Sequence, residues 1–307
     1  LEPNPNYHER RISLSGLKYS IDLNDEQKTE ALASGRLDVT DINSLQRRAL
    51  SQDRSLKVVS LPQLNVQYLC INVSRVSPFA DKRVRQALNY AIDLKTLIDT
   101  TELAGDAVAA KGVFPPELWA YNPNLAGYGY DPGRAKKLLA EAGYAGGLPG
   151  EYLLDIRDSK SQVQRAELVR QNCREAGISI KINPLSWKAL LEKTYSCQSQ
   201  LSFNGWSSDN GDPDNFLYPL FHSKNTGRAG NVAFFKSPAI DEMLDEVVTI
   251  RDPGQRLMRY RKIEEMIVQE APWVFLYHTV KSTAVRNTVH GFRPRPFGSE
   301  LYKHCWV

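Results

Sequence analysis

Several ingredients of common active sites are scarce in this chain of 307 residues. Its 4 cysteines form no CxxC pair and no Cys/His spacing typical of a metal site. The 5 histidines are scattered, and none belongs to an HExxH motif. The sequence also lacks a P-loop, a G-x-G-x-x-G turn and a G-x-S-x-G elbow. We therefore expect no bound metal, no cofactor and no enzyme activity.

Long apolar runs and concentrated charge are missing as well. No run approaches the roughly 20 apolar residues of a membrane-spanning helix. The net charge of +4 is spread along the chain, and the basic pairs Arg10-Arg11, Arg47-Arg48 and Lys136-Lys137 are isolated, so we expect no nucleic-acid partner. The chain opens on Leu1 without a signal peptide, which indicates either a cytosolic protein or one whose front end has been removed.

The cysteines leave the redox compartment open. Cys70 lies in an apolar stretch, 67–73, and is expected to be buried filler. Cys173 and Cys197 could pair in an oxidising compartment, but their spacing does not decide it.

Strand patterns and helix patterns alternate for most of the length, which favours an α/β fold. Helix starts are marked by capping residues, such as Asn24 with Gln27, Asp81, and the cap-plus-proline pairs Asp131-Pro132, Ser237-Pro238 and Asp252-Pro253. Further helices are predicted over 162–176 and 187–195. Strands are predicted over 14–23, 37–42, 57–61, 67–73, 152–157, 178–184, 200–206 and 273–280, and the last thirty or so residues are expected to be irregular.

The segment 205–216, Gly-Trp-Ser-Ser-Asp-Asn-Gly-Asp-Pro-Asp-Asn-Phe, carries the most chemical information. Gly, Asn and Asp build tight turns, so a plain surface turn is one interpretation. The three carboxylates beside a tryptophan could also hold a cation, either a metal or an ammonium group. An EF-hand would need glycine sixth and glutamate twelfth, but counting from Asp209 those places hold Asp214 and Leu220.

An ordered set of motifs resembles one family, the extracytoplasmic solute-binding proteins of peptide-type ABC transporters (family 5), and in particular its dipeptide-binding branch. The motifs span nearly the whole chain in the family's order. They are Asn4-Pro5-Asn6-Tyr7; Ser34-Gly35-Arg36-Leu37-Asp38; the helix Pro78-Phe79-Ala80-Asp81-Lys82-Arg83-Val84-Arg85-Gln86-Ala87-Leu88; Tyr130-Asp131-Pro132 with the helix that ends Glu141-Ala142-Gly143; the ligand loop 205–216; and Glu270-Ala271-Pro272.

The resemblance implies a two-lobed clamshell, the type II-like periplasmic-binding-protein fold, with its N-terminal part missing. Family members carry a longer N-terminal part, so the chain is expected to be a C-terminal portion. Residues 1–62 and 285–307 would belong to lobe I and residues 63–284 to lobe II. Two hinge strands are expected near 62–72 and 275–283, because two crossings allow one rotation between lobes.

The resemblance also implies roles in a ligand site. Asp209 matches the position that binds the peptide ammonium, with Asn210 beside it in the loop. Trp206 would be a flat wall or a cation–π face, although a core tryptophan is an alternative. Asn204 and Gly205 would offer backbone groups to an added strand. Asp212 and Asp214 are interpreted as scaffolding that caps the next turn.

Arg157 ends the predicted strand 152–157 and resembles the carboxylate-binding arginine of the dipeptide branch. The alternative is a surface arginine paired with Asp155 or Asp158.

The resemblance predicts a monomeric, periplasmic or extracytoplasmic protein that binds di- or oligopeptides and delivers them to a membrane ABC permease. Alternatives remain. The same fold could bind nickel, haem, an oligosaccharide or an opine. A hydrolase could use the loop 209–214, and a cytosolic sensor could have adopted this fold.

Overall fold

The computed structural model describes His8 and residues 13–50, 52–300 and 302–307. The Asn4-Pro5-Asn6-Tyr7 turn lies outside the described residues. Helices occupy α1 Asp25–Ala33, α2 Ser44–Ala49, α3 Ser77–Ala80, α4 Lys82–Ala91, α5 Leu94–Asp99, α6 Pro132–Glu141, α7 Lys160–Glu175, α8 Trp187–Tyr195, α9 Asp214–Phe221, α10 Pro238–Val247 and α11 Pro253–Glu270. Strands occupy β1 Val39–Ile42, β2 Leu56–Pro62, β3 Asn65–Ile71, β4 Ala107–Ala109, β5 Tyr152–Arg157, β6 Ile180–Leu185, β7 Leu201–Ser207 and β8 Trp273–Arg286. The predicted α/β class is confirmed.

The chain divides into two compact units, one of Leu1–Gln63 with Val280–Val307 and the other of Leu64–Thr279. In the first unit, β1 and β2 pair antiparallel with opposite edges of the second half of β8. Its core contains Leu32, Ile42, Leu50 and Ala284.

The predicted strand over 14–23 is wrong. These residues, all described, form no strand, and most of their side chains are exposed. A strand needs a paired neighbour, and no described strand pairs with this segment: β1 and β2 occupy the two edges of β8, and each pairs with β8 alone.

The second unit holds a mixed sheet in the order β8-β3-β7-β5-β6, with β4 also on β8. Strands β5, β6 and β7 run parallel, and the helices α7 and α8 connect them. Strand β3 is antiparallel to both β7 and β8. A continuous core of buried apolar side chains, including Leu69, Leu88 and Val169, lies between this sheet and its helices.

Capping explains where the helices begin. The side chains of Asp81, Asp131, Ser237 and Asp252 each accept a hydrogen bond from a backbone N–H in the first turn, as predicted. Asn24 and Gln27 form the expected capping box.

Arg85 ties two helices of the second unit together. Its buried guanidinium donates to the carbonyls of Phe79, Ala80 and Glu270, so it satisfies orphan carbonyls at the C-terminal ends of α3 and α11.

One further expectation needs correction, and one alternative that the sequence left open is decided. The last strand continues to Arg286 rather than ending at 280, because β1 and β2 hold its second half. Cys173 and Cys197 are not paired: all 4 cysteines are free, with Cys173 buried and Cys197 partly exposed. Cys70 is buried, as predicted.

None of the described helices is both long and apolar enough to cross a membrane.

Candidate functional site

A cavity of about 510 Å³ opens within the second unit. Its walls come from β3 and β7, the first turns of α7, the helix α8, the middle of β8 and a turn at 228–230. Arg157, Asn204, Gly205 and Trp206 all lie on these walls. A concave site with aromatic walls and a few polar groups is the usual form of a small-ligand site.

One edge of β7 is open beside this cavity. The strand pairs with β3 along its whole length, from Leu201↔Ile71 to Ser207↔Asn65. On the other side it pairs with β5 only at Leu201 and Ser202. Among the described residues, 203–207 therefore has no strand partner on that side. Its free backbone N–H and C=O groups can accept a further strand.

The side chains along this edge are small or held in place. Gly205 is exposed, and a Cβ there would stand 2.5 Å from Gln67 Oε1, so a side chain would push the Gln67 amide aside. The Asn204 amide donates to Ser202 Oγ at 2.7 Å. The Trp206 indole N–H donates to the Asn215 carbonyl at 2.8 Å, which fixes the ring at the cavity wall.

The acidic loop after β7 leads into α9. Asn215 organises it, since its Oδ1 accepts from the Asp209 N–H at 3.2 Å while its carbonyl accepts from Trp206. Asp209 and Asn210 are both exposed. Neither lines the cavity, whose wall on this strand ends at Ser207, two residues before Asp209.

Asp212 and Asp214 are the partly buried carboxylates of the loop. Asp212 accepts from the Asp214 N–H at 2.9 Å and from Arg256 Nη2 at 3.1 Å. Partial burial, with the Asp212 charge nearby, raises the pKa of Asp214. The described residues contain no group of three or more His, Cys, Asp and Glu placed to hold a metal.

Two aromatic rings of α8 face the cavity, and an arginine from another element lies over each of them. Trp187, Leu191 and Tyr195 are spaced four residues apart, so they share one helix face, and all three line the cavity. The Arg157 guanidinium lies over the Trp187 ring, with its Cζ 6.0 Å from the centroid. The Arg228 guanidinium lies over the Tyr195 ring at 5.5 Å.

Asp155 does not serve as the partner of Arg157. It is fully buried and binds Lys193 Nζ at 2.7 Å, together with Asn183 and Ser199.

The described cavity wall contains three arginines and no carboxylate. Arg165 is the third arginine; it donates to the Tyr277 hydroxyl, and its Nε lies 3.4 Å from Glu102 Oε1. Because Arg157 and Arg228 have no ion-pair partner among the described residues, they give the wall positive charge, and the cavity favours an anionic group.

The structure thus brings together four of the six residues that the sequence singled out and leaves Asp209 and Asn210 outside the cavity wall. Sequence reasoning missed Trp187, Tyr195 and Arg228 as wall residues. The four-residue spacing on α8 was a usable signal, whereas Arg228 comes from a turn that carries no local pattern of its own.

Comparisons with known proteins identify the family of this chain. Residues 1–228 match the family described as bacterial extracellular solute-binding proteins, family 5 Middle. The chain belongs to this family, as its motifs predict. It is a family of binding proteins and not of enzymes, which agrees with the expected lack of catalysis.

Two curated relatives differ in what their names say they bind. The chain is 33% identical over 303 residues to the heme-binding protein A of Haemophilus influenzae, across 97% of this chain and 54% of that protein. It is 30% identical over 265 residues to the dipeptide-binding protein of Escherichia coli, across 84% of this chain and 48% of that protein. The chain therefore spans about half the length of the curated relatives it matches.

A solved structure shares the fold. The structure of HbpA2 from Haemophilus parasuis matches all of this chain and 61% of its own length, with a TM-score of 0.91 and 26% identity. The predicted periplasmic-binding-protein fold is thereby confirmed.

Proposed function

We propose that this protein binds short peptides in the cavity of its second unit. The observation that carries the proposal is the open edge of β7 beside a guanidinium. A peptide that adds as a strand to 203–207 gains main-chain hydrogen bonds whatever its side chains are. The dipeptide-binding relative from Escherichia coli supports the same ligand class.

Arg157 is the proposed partner of the peptide carboxylate. Asp155 pairs with Ser202, so continuing the parallel register puts Arg157 level with Asn204, near the start of the open edge. The guanidinium lies over the Trp187 ring, and its planar fork of N–H donors matches a carboxylate.

Asp209 is the proposed partner of the peptide ammonium. It lies just past the other end of the open edge, two residues beyond Ser207. The protein would therefore present a positive charge near one terminus of a peptide on this edge and a negative charge near the other. This pattern is complementary to a zwitterionic ligand.

In the full-length protein we expect the peptide to be enclosed between two lobes, and the closed, monomeric form to be recognised by an ABC permease at the membrane. The extracellular family assignment supports a periplasmic or extracytoplasmic location.

Haem is the second candidate, because of the 33% identity to the heme-binding relative. The described cavity wall offers no histidine, cysteine or methionine as an axial ligand, although Tyr195 is partly exposed there. This chemistry favours peptide over haem.

Isothermal titration of the full-length protein with di- and tripeptides, and separately a haem titration followed by absorbance, tests the assignment. A heat of binding with peptides, together with no change in the haem absorbance spectrum, supports the assignment. Haem binding without any peptide heat would overturn the ligand class and leave the fold intact.

A further inference from the structure

The cavity wall carries a side-chain amide that no other described group binds. Gln67, on β3, is partly buried and lines the cavity. Its amide forms no hydrogen bond within the described part of the chain. The Asn204 amide, by contrast, donates to Ser202 Oγ at 2.7 Å. A primary amide has two N–H donors and a carbonyl acceptor, so Gln67 can bind a polar group that enters the cavity.

Gly205 allows this amide to reach toward the open edge of β7. Gln67 and Gly205 are directly opposite each other in the pairing of β3 with β7, so their side-chain positions share one face of the sheet. A Cβ on Gly205 would stand 2.5 Å from Gln67 Oε1 and 2.6 Å from Gln67 Nε2. The amide therefore occupies the place of the missing Gly205 side chain, one strand nearer the open edge than its own backbone.

The same face continues into a strand that adds to β7. The proposed peptide runs antiparallel to β7, with its carboxylate near Arg157 and its ammonium near Asp209. The peptide residue opposite Gly205 then has its Cβ about 4.5–5.5 Å from the Cβ position of Gly205, on the face that carries the Gln67 amide. The next atoms of that side chain are within reach of the amide. The adjacent peptide residues point to the other face, so Gln67 contacts one ligand side chain.

The surroundings of the amide favour an uncharged partner. Tyr277 is opposite Gln67 on β8, and its hydroxyl accepts a hydrogen bond from Arg165. Arg165 Nε lies 3.4 Å from Glu102 Oε1, so the charge of this arginine is balanced. The buried Phe203 adds an apolar wall on the same face of β7. A neutral side chain that both donates and accepts hydrogen bonds matches this environment.

We propose that Gln67 is a specificity-determining residue, and that the protein prefers short peptides with Asn or Gln opposite Gly205. Two primary amides can exchange an N–H···O bond in each direction. A carboxylate would leave Gln67 Oε1 facing another acceptor, and an aliphatic side chain would leave the whole amide unpaired. This inference rests on the proposed addition of a peptide strand to 203–207.

The test is isothermal titration of the full-length protein with six tripeptides. Three are Ala-Ala-Ala with Asn at the first, second or third position, and three carry Leu, of similar size, at the same positions. At one position the Asn peptide should have a Kd about tenfold lower than its Leu counterpart, because two neutral hydrogen bonds form.

Two variants and a control assign this preference to the amide. In Gln67→Leu the difference between the Asn and Leu peptides should disappear. Gly205→Ala should reduce it, because the added Cβ displaces the Gln67 amide. Gln171→Leu is the matched control: Gln171 is an exposed glutamine of α7 outside the described cavity wall, and its replacement should leave the difference unchanged.

The outcomes distinguish this inference from the proposed function. Equal or weaker binding of the Asn peptide at all three positions would overturn the inference while peptide binding stands. A preference at two adjacent positions would also overturn it, since adjacent side chains of a strand point to opposite faces. A preference that survives in Gln67→Leu would overturn the assignment to Gln67, and one that survives in Gly205→Ala would overturn the reach across Gly205. Absence of heat with all six peptides would overturn peptide binding itself.

Discussion

The Arg157 guanidinium lies over the exposed face of Trp187, 6.0 Å from Cζ to the ring centroid. The strand β5 ends at Arg157 and the helix α8 begins at Trp187, so the contact links two elements that meet at one end of the parallel strands. Ligands of α/β folds bind at that end of the sheet.

Replacing Arg157 by Gln should weaken peptide binding by about 10- to 100-fold, since a charge-assisted contact to the ligand carboxylate is lost. Arg157→Lys should recover only part of the affinity, because an ammonium lacks the planar fork. Titration calorimetry measures both. Equal affinity of the Gln variant and the unmodified protein would refute the role of Arg157.

Asp209→Ala should weaken binding of a free tripeptide by about tenfold or more. Because Asp209 is exposed, its loss should shift the free energy of unfolding by no more than about 0.5 kcal/mol. N-acetylated tripeptides, which lack the ammonium, should bind both forms equally, and Glu117→Gln is an exposed acidic control. A variant that still prefers the free amine would show that another group binds it.

Asp155→Ala should destabilise the fold strongly. The fully buried carboxylate binds Lys193, and removing it leaves the ammonium without its partner, at a cost of about 3–5 kcal/mol. The exposed pair Lys95–Asp99 provides the comparison, and Asp99→Ala should cost less than about 1 kcal/mol. Urea unfolding measures both. Similar losses of unfolding free energy in the two variants would contradict the claim that burial makes the Asp155–Lys193 pair more important than the exposed pair.

Glu264 should make stability fall as pH rises. Burial raises the pKa of Glu264 from 4.5 to about 8, although its Oε1 accepts from the Phe114 N–H. Between these two values the folded state binds the proton that the unfolded state has released. The contribution of Glu264 to stability is therefore greatest below about pH 4.5 and decreases toward pH 8, by up to about 1.4 kcal/mol per pH unit.

The neutral isostere tests this directly. Glu264→Gln should flatten the pH dependence of the melting temperature and be more stable than the unmodified protein at pH values above about 8. Parallel curves for the two proteins would mean that Glu264 does not titrate in this range.

The sequence predicts local structure best where a short-range contact decides it. The capping side chains placed the helix starts, and 152–157 and 187–195 were predicted with their observed bounds. The predicted strand over 14–23 was wrong because alternation alone does not reveal whether another strand pairs with the segment.

The residues of the candidate site are likewise only partly predictable from the sequence. The loop and strand residues 204–206 belong to one continuous motif, so the sequence marks them together. Arg228 reaches the same cavity from a turn far along the chain, held by the buried Asn231. Only tertiary contacts bring it beside Tyr195, and no spacing in the sequence records them.

The docking of a peptide on the open edge of β7 is tested most directly by backbone hydrogen exchange of the full-length protein with and without a saturating tripeptide. The account predicts slower exchange within 203–207, where the added strand supplies new hydrogen bonds, and unchanged exchange within 180–185, at the far edge of the same sheet. Peptide binding that leaves exchange within 203–207 unchanged would contradict it.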